Sequence, residues 1–403
     1  VGDEAGTAIT TGDNNVAVGY NALASEDTGS ANTAIGRYAL SALNNDAVSY
    51  NTAVGFSAGA AVTTGTSNTL IGGLAGDAIT TGSQNTATGY LALSADTTGS
   101  QNTAYGRSSL VSNTTGANNT ASGYASLASN TTGNYNTASG MYSLYVNSTA
   151  SNNTAMGYES LKANTTGANN VAVGATAGLA LTTGSQNVLI GEKAGDALTT
   201  ASDNVVMGRS ALGSDTLGSK SVAIGRSALF TQNFTSATDT YNTAVGYGAG
   251  QSVTTGTINT IIGGLAGDAL TTGNSNVALG YGSLSSDTTG DRSTALGFQA
   301  LAVQNFTSNT DTYNTAVGYN AGVAVTTGTQ NTFVGGLTGD GTDDGLSNAA
   351  FGYSALSANC GDYNTAYGWQ SLVVTTGTLN CAYGSGSGMG VTSGANNIFL
   401  GTD

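Results

Sequence analysis

Few residues in this chain are of a type and spacing that could do chemistry. Asp340, Asp343 and Asp344 form the densest acidic cluster, in the stretch Asp340-Gly-Thr-Asp343-Asp344-Gly345. Carboxylate oxygens on a glycine-rich loop are what Ca²⁺ takes as ligands. The spacing matches neither an EF-hand nor the nonapeptide Ca²⁺ repeat, so a solvated turn is expected there. Serine and threonine are abundant, but the chain contains no histidine, which removes the commonest general base and metal ligand together. Lys162 and Lys193 have no context that marks them as bases for a nucleophile. A glycan hydrolase would need two carboxylates facing one another across a groove, and nothing in the spacing asks for such a pair. The expectation is a protein that is not an enzyme and needs no cofactor.

Aromatic side chains suggest binding rather than catalysis. Gln232-Asn-Phe234 through Tyr241 and Gln304-Asn-Phe306 through Tyr313 are near copies 72 residues apart, and a shorter relative runs from Asn44 to Tyr50. Phe234, Tyr241, Phe306, Tyr313 and Tyr50 are therefore the candidate ligand contacts, with rings able to stack on sugars. The alternative is that they fold back to cover a neighbouring coil or chain. A second series includes Tyr20, Phe56, Tyr90, Tyr124, Tyr158, Tyr247, Tyr281, Phe298, Tyr319, Tyr353 and Trp369. It could be a glycan-binding stripe, but stacking from one rung to the next is expected, because each coil offers the same geometry.

All these residues sit on a repeat. A phrase of the form Asn-Thr-Ala-x-Gly recurs from one end to the other, and its closing glycine serves as a marker, from Gly2 to Gly401. Of 23 intervals between markers, 18 are 17 residues long, and the others are 19, 21, 21, 16 and 16. A fixed short period means a solenoid or fibre. Residues 1–403 are therefore read as one continuous repeat domain, with irregular coils at 41–50, 230–241 and 302–313. Extra residues in a solenoid bulge from one face, and such loops often bind.

Within each period, runs such as Val16-Ala17-Val18 and Thr52-Ala53-Val54 alternate with the two-residue period of a strand. Glycines and the Thr-Thr-Gly spacer mark corners, and the asparagine before the strand suits a turn. The fold class that follows is all-β, a parallel β-solenoid of about 23 coils. Two kinds of coil are present, the second in pairs. In one, Leu stands four residues after the marker, as at Leu23, Leu127 and Leu356. In the other that place is Gly, and an apolar residue stands seven after the marker: Ile9, Val62, Ile79, Leu181, Leu198, Val253, Leu270 and Val325. Each coil receives one large aliphatic group by either route. One Leu and a few small residues make a thin core for 17 ordered residues, so lateral association is expected to supplement it.

The formal net charge is −15, from 8 basic and 23 acidic residues. Scattered Lys and Arg argue against nucleic acid and against an anionic membrane surface as partners. No apolar run is long enough to cross a bilayer, and no signal peptide is visible. The chain opens in mid-repeat and stops just after Gly401, as part of a longer fibre would. Cys360 and Cys381 lie about one rung apart; a bridge is open, and two free thiols are the default expectation. Asn113, Asn130 and Asn164 match glycosylation acceptors, as any Asn- and Thr-rich sequence will.

Asn15-Val16-Ala17-Val18-Gly19, Asn170-Val171-Ala172-Val173-Gly174 and Ser221-Val222-Ala223-Ile224-Gly225 resemble the head repeats of trimeric autotransporter adhesins. Repeats with the Thr-Thr-Gly spacer are similarly found in phage tail fibres and other virion appendages. The resemblance covers nearly the whole chain, although the period here is longer than in the adhesin heads, and no neck, stalk or anchor accompanies it. It implies a left-handed β-roll, three chains side by side, extracellular on a cell surface or virion, contacting a cell-surface glycan or protein receptor. The alternative is an ice-binding solenoid built on the column Thr33, Thr52, Thr69, Thr86, Thr103, Thr120, Thr137 and Thr154. Valine at the equivalent places 16, 171, 188, 205, 222 and 277 places that column inward or in an interface, which argues against ice. A glycan-cleaving fibre is a third, weaker alternative.

Overall fold

The computed structural model describes residues 2–402, and the chain divides into two compact units, Val1–Ser202 and Asp203–Asp403. Both are all-β, and no helix occurs among the described residues. Within each unit, every coil contributes one three-residue strand that pairs in parallel with the strand of the next. In the first unit these strands run from Val16–Val18 to Val188–Ile190, and in the second from Val205–Met207 to Ile398–Leu400. The result is a parallel β-solenoid of about 23 coils.

Register follows the sequence period. Val16 pairs with Thr33, 17 residues on. The offset widens to 19 where Thr33 meets Thr52 and to 21 at Val222–Thr243 and Thr294–Thr315. It narrows to 16 at Ala349–Thr365 and Thr365–Cys381. Like thus stays on like (Thr on Thr, Ala on Ala), and every extra residue is thrown out between strands.

Alternation decides what faces inward. Ala121 is completely buried, while Thr120 and Ser122 on either side are exposed. The column Thr33, Thr52, Thr69 therefore lies on the outer side of the strands, half-buried by its own neighbours. This corrects the inward placement suggested by valine at equivalent positions. The pleat gives the interior to the central residue, so both flanking columns point out.

The asparagines before the strands are not the turn residues their type suggested. The left-handed position falls one residue earlier, at Asn118 (φ 60°), Tyr135 (58°) and Asn152 (61°). The asparagines themselves are buried and form a ladder. The main-chain N–H of Asn136 donates to Asn119 Oδ1 at 3.0 Å, and Asn119 Nδ2 donates to the Gly133 carbonyl at 2.8 Å. The same pair of bonds recurs at Asn68 and Asn85 and at Asn259 and Asn276. A hydrophobe here would leave main-chain groups buried and unpaired in every coil.

Two glycine positions are dictated by geometry. Marker glycines have φ between 121° and 145°. At Gly140 a Cβ would stand 2.4 Å from the Gly157 carbonyl oxygen. Four residues on, the backbone is left-handed whatever the residue, with φ 52° at Leu127 and 59° at Gly59. Leucine accepts that strain, about 1–2 kcal/mol, in exchange for complete burial. Glycine avoids the strain and leaves a space. At Gly59 a Cβ would meet Leu70 Cδ1 at 2.7 Å and Val62 Cγ2 at 3.3 Å, which are the groups that fill it. In the second coil of each glycine pair the central strand residue is enlarged from Ala to Leu70, Leu189, Ile261 or Phe333, all fully buried. The compensation thus uses three positions, not two.

Candidate functional site

The insertion coils are built around buried polar networks. Asp215 is fully buried and accepts from the Gly218 N–H at 3.0 Å, the Phe234 N–H at 3.3 Å and Gln232 Nε2 at 2.6 Å. Gln232 also donates to Ser221 Oγ at 3.0 Å and accepts from Asn242 Nδ2 at 2.9 Å. Ser221 and Thr240 share a 2.6 Å hydroxyl contact. The second insertion repeats this group by group, with Asp287, Gln304, Ser293, Thr312 and Asn314. A buried acid without donors would be costly, and here each one is met by an amide and by main-chain N–H groups, three at Asp215 and two at Asp287.

These networks fix the direction of the inserted rings. Phe234 and Phe306 turn inward, 6% and 7% exposed, and close the enlarged coil. Tyr241 and Tyr313 remain outside at 54% and 51%. Each tyrosine meets a cation one coil earlier and an acid two residues before it. Lys220 Nζ bonds Asp239 Oδ2 at 2.5 Å and the Tyr241 hydroxyl at 3.3 Å, and lies 5.3 Å from the ring centroid. Arg292 pairs with Asp311 and lies 5.7 Å from the Tyr313 centroid, whose hydroxyl donates to Asp311 at 3.3 Å. Two-residue parallel strands, Gly218–Ser219 with Thr238–Asp239 and Gly290–Asp291 with Thr310–Asp311, hold each acid beside its cation. The Lys220 ammonium holds Asp239 below the usual carboxylate range.

The shorter insertion uses other parts. Glu26 is its buried acid and accepts from the Gly29 N–H at 2.7 Å, and Thr28 Oγ1 donates to Asp46 at 2.8 Å. Tyr50 is exposed, and Ala31 stands where Lys220 and Arg292 stand in the others.

No protein-family model and no curated protein matches the chain.

Two further exposed columns flank the bare corner made by the marker glycines. Just after the marker come the aromatic residues, and one run of three stacks: Tyr281 on Phe298 at 5.7 Å and Phe298 on Tyr319 at 5.4 Å, with ring planes 15° and 9° apart. Arginine enters the same column, with Arg107 5.9 Å from the Tyr90 ring and 5.8 Å from that of Tyr124. Just before the marker is the outer end of each strand, which is apolar in most coils and ranges from half-buried, as at Val54 and Ile190, to exposed, as at Ile35 and Leu279.

The remaining candidates are dispersed or enclosed. Asp340, Asp343 and Asp344 share one coil but occupy separate columns. Burial raises the Asp340 carboxyl, Asp343 accepts from the Thr326 hydroxyl, and Asp344 is exposed. Among the described residues, no three His, Cys, Asp or Glu side chains are arranged to hold a metal, and no helix is long and apolar enough to cross a membrane. Both cysteines are free thiols. Cys360 lies in a coil one residue short and so turns into the interior, 3.3 Å from Thr342 Oγ1. Asn113, Asn130 and Asn164 are fully buried members of a second ladder, with Asn130 Nδ2 2.7 Å from Asn113 Oδ1. Lys162 is paired with Glu159 at 2.6 Å.

Lys220 and Arg292 were not singled out from the sequence. The available signal was their spacing: two of eight basic residues stand 72 apart, the same interval that separates Tyr241 from Tyr313.

Proposed function

We propose that the chain is one strand of a homotrimeric attachment fibre, displayed on a cell or virion surface and binding a host or cell surface through many weak contacts. The observation that carries this reading is the apolar edge at the marker corner. Its strand column includes Tyr105 and Met156 in the first unit and Leu279, Leu296, Tyr367 and Tyr383 in the second, between 40% and 58% exposed. The aromatic column stands on the other side of a corner that carries no side chains. Monomeric proteins rarely present apolar surface repeated over so many coils. Its occupant is taken to be further copies of the same chain, since only they repeat at the same interval. Three chains with this many coils make repeated weak contacts add as avidity.

Solution mass at low concentration, by light scattering or analytical ultracentrifugation, tests it. A value near three times 39.4 kDa is expected, and Leu279→Lys with Leu296→Lys should lower it. A stable monomer would overturn the reading.

A second reading, ice binding, is favoured by a column that differs from the one the sequence suggested. Every seventeenth residue from Thr64 through Thr81, Thr98 and Thr115 to Thr200 is an exposed threonine. A measurable thermal hysteresis, lost in Thr98→Leu with Thr115→Leu, would support it; none at millimolar protein removes it.

A further inference from the structure

We propose that the two insertion coils carry a matched pair of binding sites for a neutral pyranose, one formed by Tyr241, Lys220 and Asp239 and the other by Tyr313, Arg292 and Asp311. The proposal rests on the attachment reading and gives its ligand class.

The insertions are held by buried acids and amides, yet their phenylalanines turn inside. What they add to the surface is a tyrosine ring with a carboxylate and a cation at its edge. Exposed ion pairs stabilise by only about 0–1 kcal/mol, so fold stability is a weak reason for building the same cluster twice. The cation is Lys in one copy and Arg in the other, while its place against acid and ring is kept. That points to a requirement for a donor and a charge rather than for one side-chain shape.

The chemistry of the cluster fits a sugar. A half-exposed phenol ring offers a flat apolar face with a negative quadrupole to the C–H groups of a pyranose. Asp239 or Asp311 accepts from hydroxyls, and Lys220 or Arg292 donates to hydroxyl oxygens. Acid and cation cancel, so the cluster is electrically neutral and favours a neutral sugar over a uronic or sialic acid. Both sites lie in the second unit, four coils apart, or about 19 Å at ~4.8 Å per coil. A polysaccharide could reach both at once, so that two weak sites act together.

Saturation-transfer NMR on the full chain tests this, with methyl α-D-glucopyranoside, methyl β-D-galactopyranoside and methyl N-acetyl-β-D-glucosaminide as probes at millimolar concentration. At least one probe should give ring-proton transfer. Tyr241→Ala or Tyr313→Ala should each roughly halve it, and the double variant should lower it at least tenfold. Tyr135→Ala removes an exposed tyrosine from the same column, but one without such a cluster, and should leave it unchanged. Asp239→Asn with Asp311→Asn keeps side-chain volume and should reduce transfer at least fivefold; it decides the matter if the tyrosine variants fail to fold. No transfer from any probe, or transfer undiminished in the folded double variants, overturns the proposal. The same samples are weighed in solution. A trimer without transfer removes the sugar sites alone, whereas a monomer removes the fibre reading.

Discussion

The side-chain oxygen of Asn119 accepts the main-chain N–H of Asn136, one coil further on, at 3.0 Å. Because Asn119 also donates to the Gly133 carbonyl at 2.8 Å, one side chain satisfies two main-chain groups belonging to the next coil. The strand itself is only three residues long, so this bond continues the ladder around the corner that the strand cannot reach.

Asn119→Ala should therefore strand the buried N–H of Asn136, while the Gly133 carbonyl keeps a second donor in Asn130 Nδ2 at 3.0 Å. The expected loss is about 1–3 kcal/mol, from one orphaned main-chain N–H. Denaturant unfolding checks it; an unchanged midpoint would show the ladder to be dispensable.

Glycines should separate sharply by position. Gly140→Ala places a Cβ 2.4 Å from a neighbouring carbonyl at φ 136°, and a loss of about 3 kcal/mol or more is expected. At Gly73 the nearest contact would be the Tyr90 ring at 3.5 Å, so Gly73→Ala should stay within about 0.5 kcal/mol. Thermal melts of the two variants side by side provide the comparison.

Asp96 is a buried acid at the head of the second asparagine ladder, and burial raises its carboxyl to about 6. The folded state thus holds the proton more tightly than the unfolded chain does. This group's contribution to stability falls as pH rises from the ordinary carboxylate value, 3.8, through 6, and the penalty is fully present above that range. Asp96→Asn extends the ladder without a charge. It should stabilise by about 1–2 kcal/mol at pH 8 and by little at pH 4. Unfolding midpoints at the two pH values check the sign.

Phe333 fills the space between Gly322 and Gly339, where a Cβ would meet its ring at 3.0 Å and 2.5 Å. Phe333→Ala leaves that space empty and should cost about 3–5 kcal/mol, with Phe333→Leu costing less. Calorimetric melting of both variants tests whether the glycine pair and the enlarged strand residue form one unit.

Gln304 supplies the shortest donor to buried Asp287, at 2.6 Å. Gln304→Ala should loosen the loop at 302–313 and destabilise by about 1–3 kcal/mol, because a buried acid oxygen loses its closest donor. Faster amide exchange confined to that loop is the expected readout, with residues 230–241 as the internal reference.

Period, strand position and fold class were all legible in the sequence, because a solenoid repeats its constraints. The marker glycine cannot carry a side chain in any coil, and the alternation of Thr120, Ala121 and Ser122 is a local property of a strand. The paired exchange of Leu127-type and Gly59-type coils was visible for the same reason. What lies between coils was not visible. Asn119 reads locally as a turn residue, and only the stacking of one coil on the next turns its amide into a rung. The third member of the compensation, at Leu70 or Phe333, fills space left by two glycines in successive coils. Phe234 and Tyr241 are equally aromatic in the sequence, and it took the buried acid Asp215 to draw one loop end inward and leave the other outside. Lys220 meets Tyr241 only because parallel stacking brings residues 21 apart into adjacent places on one column. Sequence alone determined the period and what each coil must contain; tertiary structure decided which side chains meet, because those meetings occur across coils, where distance along the chain no longer measures distance in space.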